Sequence, residues 1–454
     1  MTRSSGQRPM RRGTLGAFCF AVSLPASTQT LLIPALPVLA EERGFSATAN
    51  GWLLSAFLLG ASISAPVVGR LGDLWGRRPL TIAVSAGYAV GAAICLFGGD
   101  HALVVAIGRA LQGFSAGVYV LQVSALQELS PPAARASRIA VLSGFVALGP
   151  AVGFLVGGLV TAHLGVTTLF AAGIGLGVVS TAVLWWRTPD SGGAAEGAVD
   201  VPGAVLVAAS LFAVLLALTE VGVAGPTGRS TLLWAGAAAV ALATTGWWMR
   251  RSPSPFIDVS VLASPVTGLV CAATVLNAAA LFGLFVMVPQ LVQDEVGGYG
   301  LGPVEAGLFL VPGAASMVVV GMLAGRRGGF VTTIVRGNLL CAAAMVALAV
   351  LPRSMPVVLV LATVAAIGIG LAFPLLPAVA MAAVPPRSVG AAAGVNSLMR
   401  GMGSAAGAQV ALVVAASTVA GGSAYGRSFL ASAIAAALAA LAAAGLRGGP
   451  AGRA

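Results

Sequence analysis

Two arginines lie inside long apolar stretches of the sequence, where a charged side chain is unusual. Arg109 falls in the stretch 102–125 and Arg400 in the stretch 389–418. A guanidinium donates several hydrogen bonds and binds carboxylates and phosphates well. Arg109 is therefore either a group for proton movement or for binding an anionic feature of a ligand, or a structural hydrogen-bond hub. Arg400 either lines a cavity or has structural partners.

The other residues that could do chemistry are few. None of the 13 acidic residues is predicted near the middle of an apolar stretch; Glu128, Glu220 and Glu305 stand at stretch ends, as do His101 and His163. The four cysteines lack the paired spacing of a disulfide framework or a metal site. Because catalysis needs converging polar residues, we predict no enzyme active site, no metal site and no cofactor.

The composition explains why polar residues are sparse. Of the 454 residues, 58% are hydrophobic and 8% are charged, with a mean hydropathy of +0.99, whereas soluble domains contain about 25% charged residues. A soluble enzyme is therefore excluded. All 24 basic residues are arginine and the net charge is +11, but a nucleic-acid binder needs a polar basic surface that this chain scarcely has. The predicted partner is the lipid bilayer, not nucleic acid.

The apolar stretches are long enough to cross a membrane as helices. A spanning helix needs about 20 apolar residues, and fourteen stretches of roughly that length occur. They cover approximately residues 14–37, 50–69, 79–98, 102–125, 138–161, 165–186, 201–219, 231–249, 265–290, 303–324, 331–350, 355–380, 389–418 and 427–446. This pattern predicts an all-α integral membrane protein with fourteen spans, and an even number of spans places both termini on one side.

The arginines indicate which side that is. With the N-terminus inside, eighteen of the 24 arginines fall in inner loops, tails and span edges, and four fall in outer ones. Positive residues accumulate on the cytoplasmic side of membrane proteins. Both termini are therefore predicted to be cytoplasmic, in a multi-pass protein of the plasma membrane (the bacterial inner membrane) that we expect to be a monomer.

The two ends of the chain resemble each other at a nearly constant offset. Residues 69–78 are echoed by residues 321–328 at an offset of 252, and Gly149 pairs with Gly403 at an offset of 254. Membrane proteins with such repeats consist of two similar halves. The predicted organisation is a six-helix bundle at 1–187, a two-helix insert at 188–262 and a second six-helix bundle at 263–454.

The loop between predicted spans 2 and 3 combines glycines with charged residues. These are Gly69, Gly72, Asp73, Gly76, Arg77 and Arg78. Glycine permits a tight turn, and the carboxylate of Asp73 can pair with an arginine or cap a neighbouring helix in one conformation only. Such a latch would bias the protein between two states. The pattern resembles the signature of the major facilitator superfamily at this position, with Leu74 where an arginine is usual.

Span 5 contains glycines at four-residue spacing beside a proline. The residues are Gly149, Pro150, Gly153, Gly157 and Gly158. They would form a smooth face on a helix that can bend and slide, because proline removes one helical hydrogen bond. The pattern resembles the antiporter signature of exporters in this superfamily, with Phe154 where a second proline is common. The alternative is a generic glycine-rich packing face.

Further stretches resemble the fourteen-span drug/proton antiporters of the superfamily, along nearly the whole chain. They are residues 109–113, 255–258, 288–293, 302–308 and 368–374. The resemblance implies a secondary transporter that exports amphipathic drugs or antibiotic-like metabolites by alternating access, coupled to protons. The alternative is an uptake transporter or an uncoupled facilitator of the same fold for a small metabolite.

One departure from the family pattern bears on the mechanism. The family commonly has an Asp in span 1 where this chain has Thr28, and a hydroxyl cannot load and release a proton as a carboxylate does. Either a boundary acid serves instead, with Glu305 and Asp73 as candidates, or transport is weakly coupled or uncoupled. Since Arg109 and Arg400 have no acidic neighbour in the sequence, we expect a neutral or anionic amphipathic substrate rather than a dication.

Polar side chains within the predicted spans are the candidates for lining a substrate cavity. They are Thr28, Gln29, Arg109, Gln112, Tyr119, Asn277, Gln290, Asn396 and Arg400. Asn396, Arg400 and Ser404 recur every four residues, which places them in one polar stripe on a helix.

Overall fold

The computed structural model describes residues 13–189, 200–225, 227–252, 264–324, 329–351, 354–384, 389–416 and 423–448. Within these residues every regular element is a helix. A helix satisfies all of its backbone hydrogen bonds within one segment, which hydrocarbon requires because it offers no partners of its own. The predicted all-α architecture is therefore confirmed for the described part of the chain.

The helices of the described residues are numbered in chain order. Those before residue 190 are α1 (Thr14–Leu31), α2 (Leu36–Arg43), α3 (Ala47–Trp75), α4 (Arg77–Phe97), α5 (Ala102–Phe114), α6 (Val118–Leu129), α7 (Pro132–Leu164) and α8 (Val166–Arg187). Two helices follow, α9 (Val201–Ala224) and α10 (Arg229–Arg251). The remainder are α11 (Pro265–Gln293), α12 (Pro303–Ala324), α13 (Phe330–Val350), α14 (Met355–Ala372), α15 (Leu375–Ala382), α16 (Val389–Ala416) and α17 (Ser423–Ala444).

Three of the predicted spans are interrupted, and one of them, 102–125, is divided into α5 and α6 by a short 3₁₀ turn at Ser115–Gly117. The first bends by 67° between α1 and α2, where Pro34 lacks the backbone N–H that a continuing helix would use. The twelfth is divided into α14 and α15 at Phe373 and Pro374. Hydropathy does not register such breaks in a helix, so the sequence did not predict the bend within 14–37, whereas Met355–Ala382 still qualifies as one candidate span despite its break.

The number of membrane spans differs between the sequence prediction and the structure. The described residues contain twelve candidate spans, with α5–α6 and α14–α15 counted as one each, or thirteen if α1 and α2 form one bent span. Helix α16 has 28 residues but carries Asn396, Arg400 and Gln409, and it is not one of these candidates. Fourteen spans and cytoplasmic termini remain predictions, since residues 1–12 and 449–454 lie outside the described residues.

The helices pack as two groups joined by two seams. Helices α1 to α8 pack mainly among themselves, and so do α11 to α17. One seam joins α7 to α12 and the other joins α3 to α16. This packing has the form of the two predicted bundles, but residues 190–199 and 253–263 lie outside the described residues, so the boundaries at 187/188 and 262/263 stay predictions.

The helix pair α9 and α10 lies against the second seam. Helix α9 contacts both α3 and α16. On the α3 side, the rings of Trp52 and Phe212 have centroids 5.2 Å apart. On the α16 side, the amide nitrogen of Gln409 donates a 2.7 Å hydrogen bond to the hydroxyl of Thr219. The pair therefore contacts both groups of helices.

The internal repeat of the sequence corresponds to equivalent packing in the two groups. Gly153 of α7 lies against the carbonyl oxygen of Ser27 on α1, and Gly407 of α16 lies against the carbonyl oxygen of Ala279 on α11. In both places a Cβ would overlap the neighbouring backbone. The glycines that match at an offset of 254 thus bring corresponding helix pairs into backbone contact.

The predicted orientation can be tested by labelling introduced cysteines. The four native cysteines are buried and would be replaced by alanine. We then expect a membrane-impermeant maleimide to label Val296→Cys in intact cells, because this residue lies 85% exposed between α11 and α12, on the predicted outer side. Ser252→Cys, at the end of α10, should be labelled only after permeabilisation. The reverse result would contradict cytoplasmic termini.

Candidate functional site

Arg109 on α5 is almost completely enclosed, with 1% of its surface exposed. Its Nε atom donates to the carbonyl of Leu53 at 3.4 Å, and its Nη2 atom donates to the carbonyl of Thr28 at 3.1 Å. Its Nη1 atom donates to Oε1 of Gln112 at 3.0 Å. The guanidinium carbon lies 4.6 Å from the centroid of the Phe57 ring. Uncharged oxygens from three helices therefore solvate this charge, and no described carboxylate bonds to it.

Glycines make this arrangement possible by letting the surrounding helices approach α5 closely. A Cβ at Gly113 would overlap the carbonyl of Phe57 on α3. A Cβ at Gly91 on α4 would lie 2.7 Å from the carbonyl oxygen of Gly108. In lipid, apolar burial does not drive helices together, and helices associate through close packing instead. Small residues permit that close packing. The carbonyls thereby come within reach of Arg109.

Thr28, at the place where the family commonly has an acid, is buried and hydrogen-bonded. Its hydroxyl lies 2.6 Å from the hydroxyl of Tyr88 on α4. Its backbone carbonyl is the one that accepts from Arg109. The next residue, Gln29, is half-buried. Sequence reasoning missed Tyr88, which stands in an apolar stretch with no local sign of its partner sixty residues away.

Two further polar pairs lie in the second group of helices. The amide of Asn277 on α11 donates to Oδ1 of Asn338 on α13 at 2.8 Å. The amide of Asn396 on α16 donates to the hydroxyl of Thr274 on α11 at 2.8 Å. All four side chains are buried. The predicted cavity residues Asn277 and Asn396 thus join helices, and sequence reasoning missed their partners.

Arg400 on α16 has a different environment from Arg109. It is half-buried, and its guanidinium carbon lies 5.3 Å from the centroid of the Phe373 ring, at the break between α14 and α15. Tyr119, from α6 of the first group, is near enough to interact with it electrostatically. The Tyr119 hydroxyl is 2.9 Å from Oγ of Ser143. Among the described residues the Arg400 guanidinium has no hydrogen bond and no ion pair.

The glycine and arginine loop between α3 and α4 is attached to its neighbours. Gly76 ends α3 and begins α4 with a φ of 90°, a conformation that favours glycine. Arg77 forms an ion pair with Glu128 at the end of α6. Arg78 donates from Nη2 to the carbonyl of Trp185 on α8 at 3.1 Å.

The other members of this motif lie in α3, where it packs on α6. Gly69 faces Val120, and Gly72 is in close contact with Leu121. The backbone of Asp73 belongs to the last turn of α3, but its side chain lies outside what the structure describes. The proposed latch by Asp73 therefore stays a prediction.

The glycines of the second motif face two different helices. Gly149, Gly153 and Gly157 form one face of α7 that lies against the backbone of α1, where a Cβ at any of them would overlap it. Thr30 of α1 also donates a 3.0 Å hydrogen bond to the carbonyl of Pro150. Gly158 instead lies against the carbonyl of Pro303 on α12. The motif thus packs α7 both within its group and across the first seam.

The described contacts across the seams lie toward one end of the molecule. We call it the Pro303 end, because α12 begins there. Gly158 meets Pro303 six residues before α7 ends. In the second seam, Gly51 near the start of α3 meets Gln409 of α16. These seams hold the two groups together from the Pro303 end toward the middle of the helices.

The described acids lie toward helix ends. Glu305 is exposed in the first turn of α12, where the helix dipole favours an anion. Burial alone would raise the pKa of Asp294, but hydrogen bonds from the backbone of Val296 and Gly297 and from Tyr425 outweigh it and hold the pKa below its ordinary value. Asp294 therefore stays ionised at neutral pH and is a poor proton carrier. The hydroxyl of Tyr425 also reaches the carbonyl of Gln290, a half-buried cavity candidate.

These features define an α-helical membrane protein in which two similar groups of helices meet around buried polar side chains. Residues 18–408 match the family model of the Major Facilitator Superfamily. The chain belongs to that superfamily, whose members cross the membrane several times, in agreement with the apolar helices described above.

Curated relatives cover most of the chain at low identity. The chain is 28% identical over 428 residues to the tetracenomycin C resistance and export protein of Streptomyces glaucescens, covering 92% of this chain and 78% of that one. It is 27% identical over 418 residues to the multidrug efflux pump LfrA of Mycolicibacterium smegmatis, covering 89% and 81%. An uncharacterized MFS-type transporter of Mycobacterium tuberculosis is 28% identical over 346 residues, but this match covers only 49% of that longer relative.

Solved structures share the fold. The human organic anion transporter MFSD10 superposes with a TM-score of 0.63 at 19% identity, covering 96% of this chain and 100% of that one. The xylose transporter XylE of E. coli, in a partially occluded inward-open conformation, superposes with a TM-score of 0.64 at 12% identity, covering 94% and 96%. At such low identity these similarities establish the fold alone.

The close contact of α7 with α1 leads to a stability prediction. We expect Gly153→Ala to lower stability by about 1–3 kcal/mol, because the added methyl group overlaps the backbone of Ser27. Gly144→Ala in the same helix is the matched control, since a Cβ there meets nothing within 4 Å. Thermal unfolding of the purified proteins in detergent measures both. Equal melting temperatures would contradict the packing described for this face.

Arg109 leads to a second stability prediction. Arg109→Lys keeps the charge but cannot donate to α1 and α3 together, so buried acceptors lose their partner at about 1–3 kcal/mol each. The melting temperature should fall clearly. Arg251→Lys is the control, because Arg251 is exposed and stacks on Trp247. An unchanged melting temperature for Arg109→Lys would argue against a structural hub.

Proposed function

We propose that the protein is a secondary exporter of amphipathic drugs or antibiotic-like metabolites in the plasma membrane. The observation that carries this proposal is the similarity, over about nine-tenths of the chain, to proteins named for antibiotic export and multidrug efflux. The glycine face of α7 supports export rather than uptake, since its sequence resembles the antiporter signature and its glycines bring α7 against the backbone of α1.

The seams support a transport cycle of alternating access, in which the two groups of helices rock around a central site. In the described structure the groups meet toward the Pro303 end. If the termini are cytoplasmic, as the arginine distribution predicts, this end faces outward and the structure corresponds to an inward-open state. Compounds would then enter from the cytoplasm or the inner leaflet and leave after the seams at the Pro303 end open.

A proton gradient is the energy source we propose, with Glu305 and Asp73 as the proton carriers. The described oxygen atoms that accept hydrogen bonds from Arg109 are all uncharged. We therefore place the proton carriers away from Arg109. Glu305 is exposed at the Pro303 end, and Asp73 belongs to the end of α3 on the opposite side. Exchange of protons would thus occur at the two ends of the molecule.

Transport by purified protein in liposomes tests both export and coupling. The probes are fluorescent amphipathic compounds of positive, neutral and negative charge, with a pH gradient imposed in either direction. We expect at least one probe to move several-fold faster than in protein-free liposomes, in the direction opposite to proton flow. An ionophore that collapses the gradient should abolish its accumulation.

Variants of the acids identify the carrier. Glu305→Gln and Asp73→Asn should each reduce gradient-driven accumulation, while Glu42→Gln, at an exposed position on α2, is the control and should not. Probe flux that ignores the gradient would overturn coupling and leave a facilitator. Movement of probe in the same direction as protons would overturn export.

A further inference from the structure

The two intramembrane arginines differ in how their charge is balanced. Arg109 donates three hydrogen bonds to protein oxygens and is enclosed. Arg400 has only a stacking contact with Phe373 and an electrostatic interaction with Tyr119 among the described residues. It lies about eleven residues from the start of α16, which is about 16 Å along the helix. A cation at that depth needs a partner, since hydrocarbon does not solvate it.

Arg400 lies next to the contact between the two groups of helices. The next residue, Gly401, is in close contact with Ser62 on α3 of the first group. A few residues further along α3, Ser64 and Val68 contact Gly117, which lies just before Tyr119. Tyr119 of the first group and Arg400 of the second group therefore lie near neighbouring parts of α3.

The geometry fits a ligand that combines a carboxylate with a flat apolar body. The guanidinium carbon lies over the Phe373 ring at 5.3 Å from its centroid, and the guanidinium has N–H donors that no described residue accepts. A carboxylate takes two such donors in parallel, which makes the interaction strong and directional. The rings of Phe373 and Tyr119 offer apolar surface for the body of the ligand.

The Tyr119 hydroxyl adds an acceptor on the other side. Ser143 uses its own hydrogen to donate to the carbonyl of Ile139 at 2.9 Å, so the Tyr119 hydroxyl donates to Ser143 Oγ. The phenolic oxygen then has lone pairs available for a donor on the ligand. A molecule bound here would contact both groups of helices at once.

We propose that Arg400, with Phe373 and Tyr119, binds the carboxylate of an aromatic organic acid, and that such acids are a substrate class of this transporter. The inference rests on the proposed transport function. It narrows that function, because it predicts that compounds with a carboxylate on an aromatic body bind better than their neutral counterparts at this site.

Binding to the purified full-length protein in lipid nanodiscs tests the site without requiring transport. The probes are aryl carboxylates of increasing ring number, naphthalene-1-acetate and pyrene-1-butyrate among them, each compared with its primary amide. The amide has nearly the same shape and no charge. We expect at least one carboxylate to bind about 10- to 100-fold more tightly than its amide, as a charge-assisted bidentate pair implies.

Variants test whether Arg400 causes the preference for a carboxylate over its amide. Arg400→Gln should bind the acid and its amide equally, and Arg400→Lys should keep part of the preference because it keeps the charge but not the planar pair of donors. Arg251→Gln is the matched control, because Arg251 also stacks on an aromatic ring but lies on the exposed end of α10. The melting temperature of Arg400→Gln should be close to that of the wild type, since the side chain makes no hydrogen bond to the part of the chain that the structure describes.

Two results would overturn the site: no carboxylate of the series is preferred over its amide, or the preference persists in Arg400→Gln. Either failure is distinct from failure of the exporter proposal, which the liposome measurements decide with neutral and cationic probes. If those probes are exported while no carboxylate preference exists, the export proposal stands and the Arg400 site is wrong.

Discussion

Backbone contact between helices is the constraint on which the rest of this structure depends. The bilayer does not press apolar helices together, so they associate only where small residues let them approach. Gly113 and Gly91 bring α3 and α4 against α5, and Gly153 brings α7 against α1. The close approach of α3 to α5 brings the Leu53 carbonyl within hydrogen-bond distance of Arg109. The same contact repeats in the second group of helices through Gly407.

Arg109 and Arg400, both on largely apolar helices, balance their charge in two different ways. Arg109 replaces its lost hydration with three protein oxygens, which fixes α1, α3 and α5 relative to one another. Arg400 keeps its donors unused in the described structure and stacks on Phe373. The first arrangement favours rigidity within one group of helices. The second is the arrangement from which we propose a carboxylate-binding position next to the seam with the other group.

The positions of the carboxylates bear on how a proton gradient would drive transport. The place beside Arg109 that an acid commonly takes in the family is held by Thr28, whose carbonyl and hydroxyl both have partners. The described carboxylates lie toward helix ends, as in the ion pair of Arg77 with Glu128. Hydrogen bonds hold the pKa of Asp294 low, so it is a poor proton carrier, and the roles of Glu305 and Asp73 remain predictions.

The sequence by itself determined the membrane class, the helical fold, the superfamily and the positions of the unusual polar residues, because length, hydropathy and local motifs are properties of neighbouring residues. The tertiary structure decided which of those residues meet. Thr28 pairs with Tyr88 sixty residues away, and Gln409 with Thr219 at a separation of 190. It also decided that Arg109 is enclosed while Arg400 is not, although both stand alone in similar apolar sequence. Such pairings depend on helix rotation and packing depth, which no local pattern encodes.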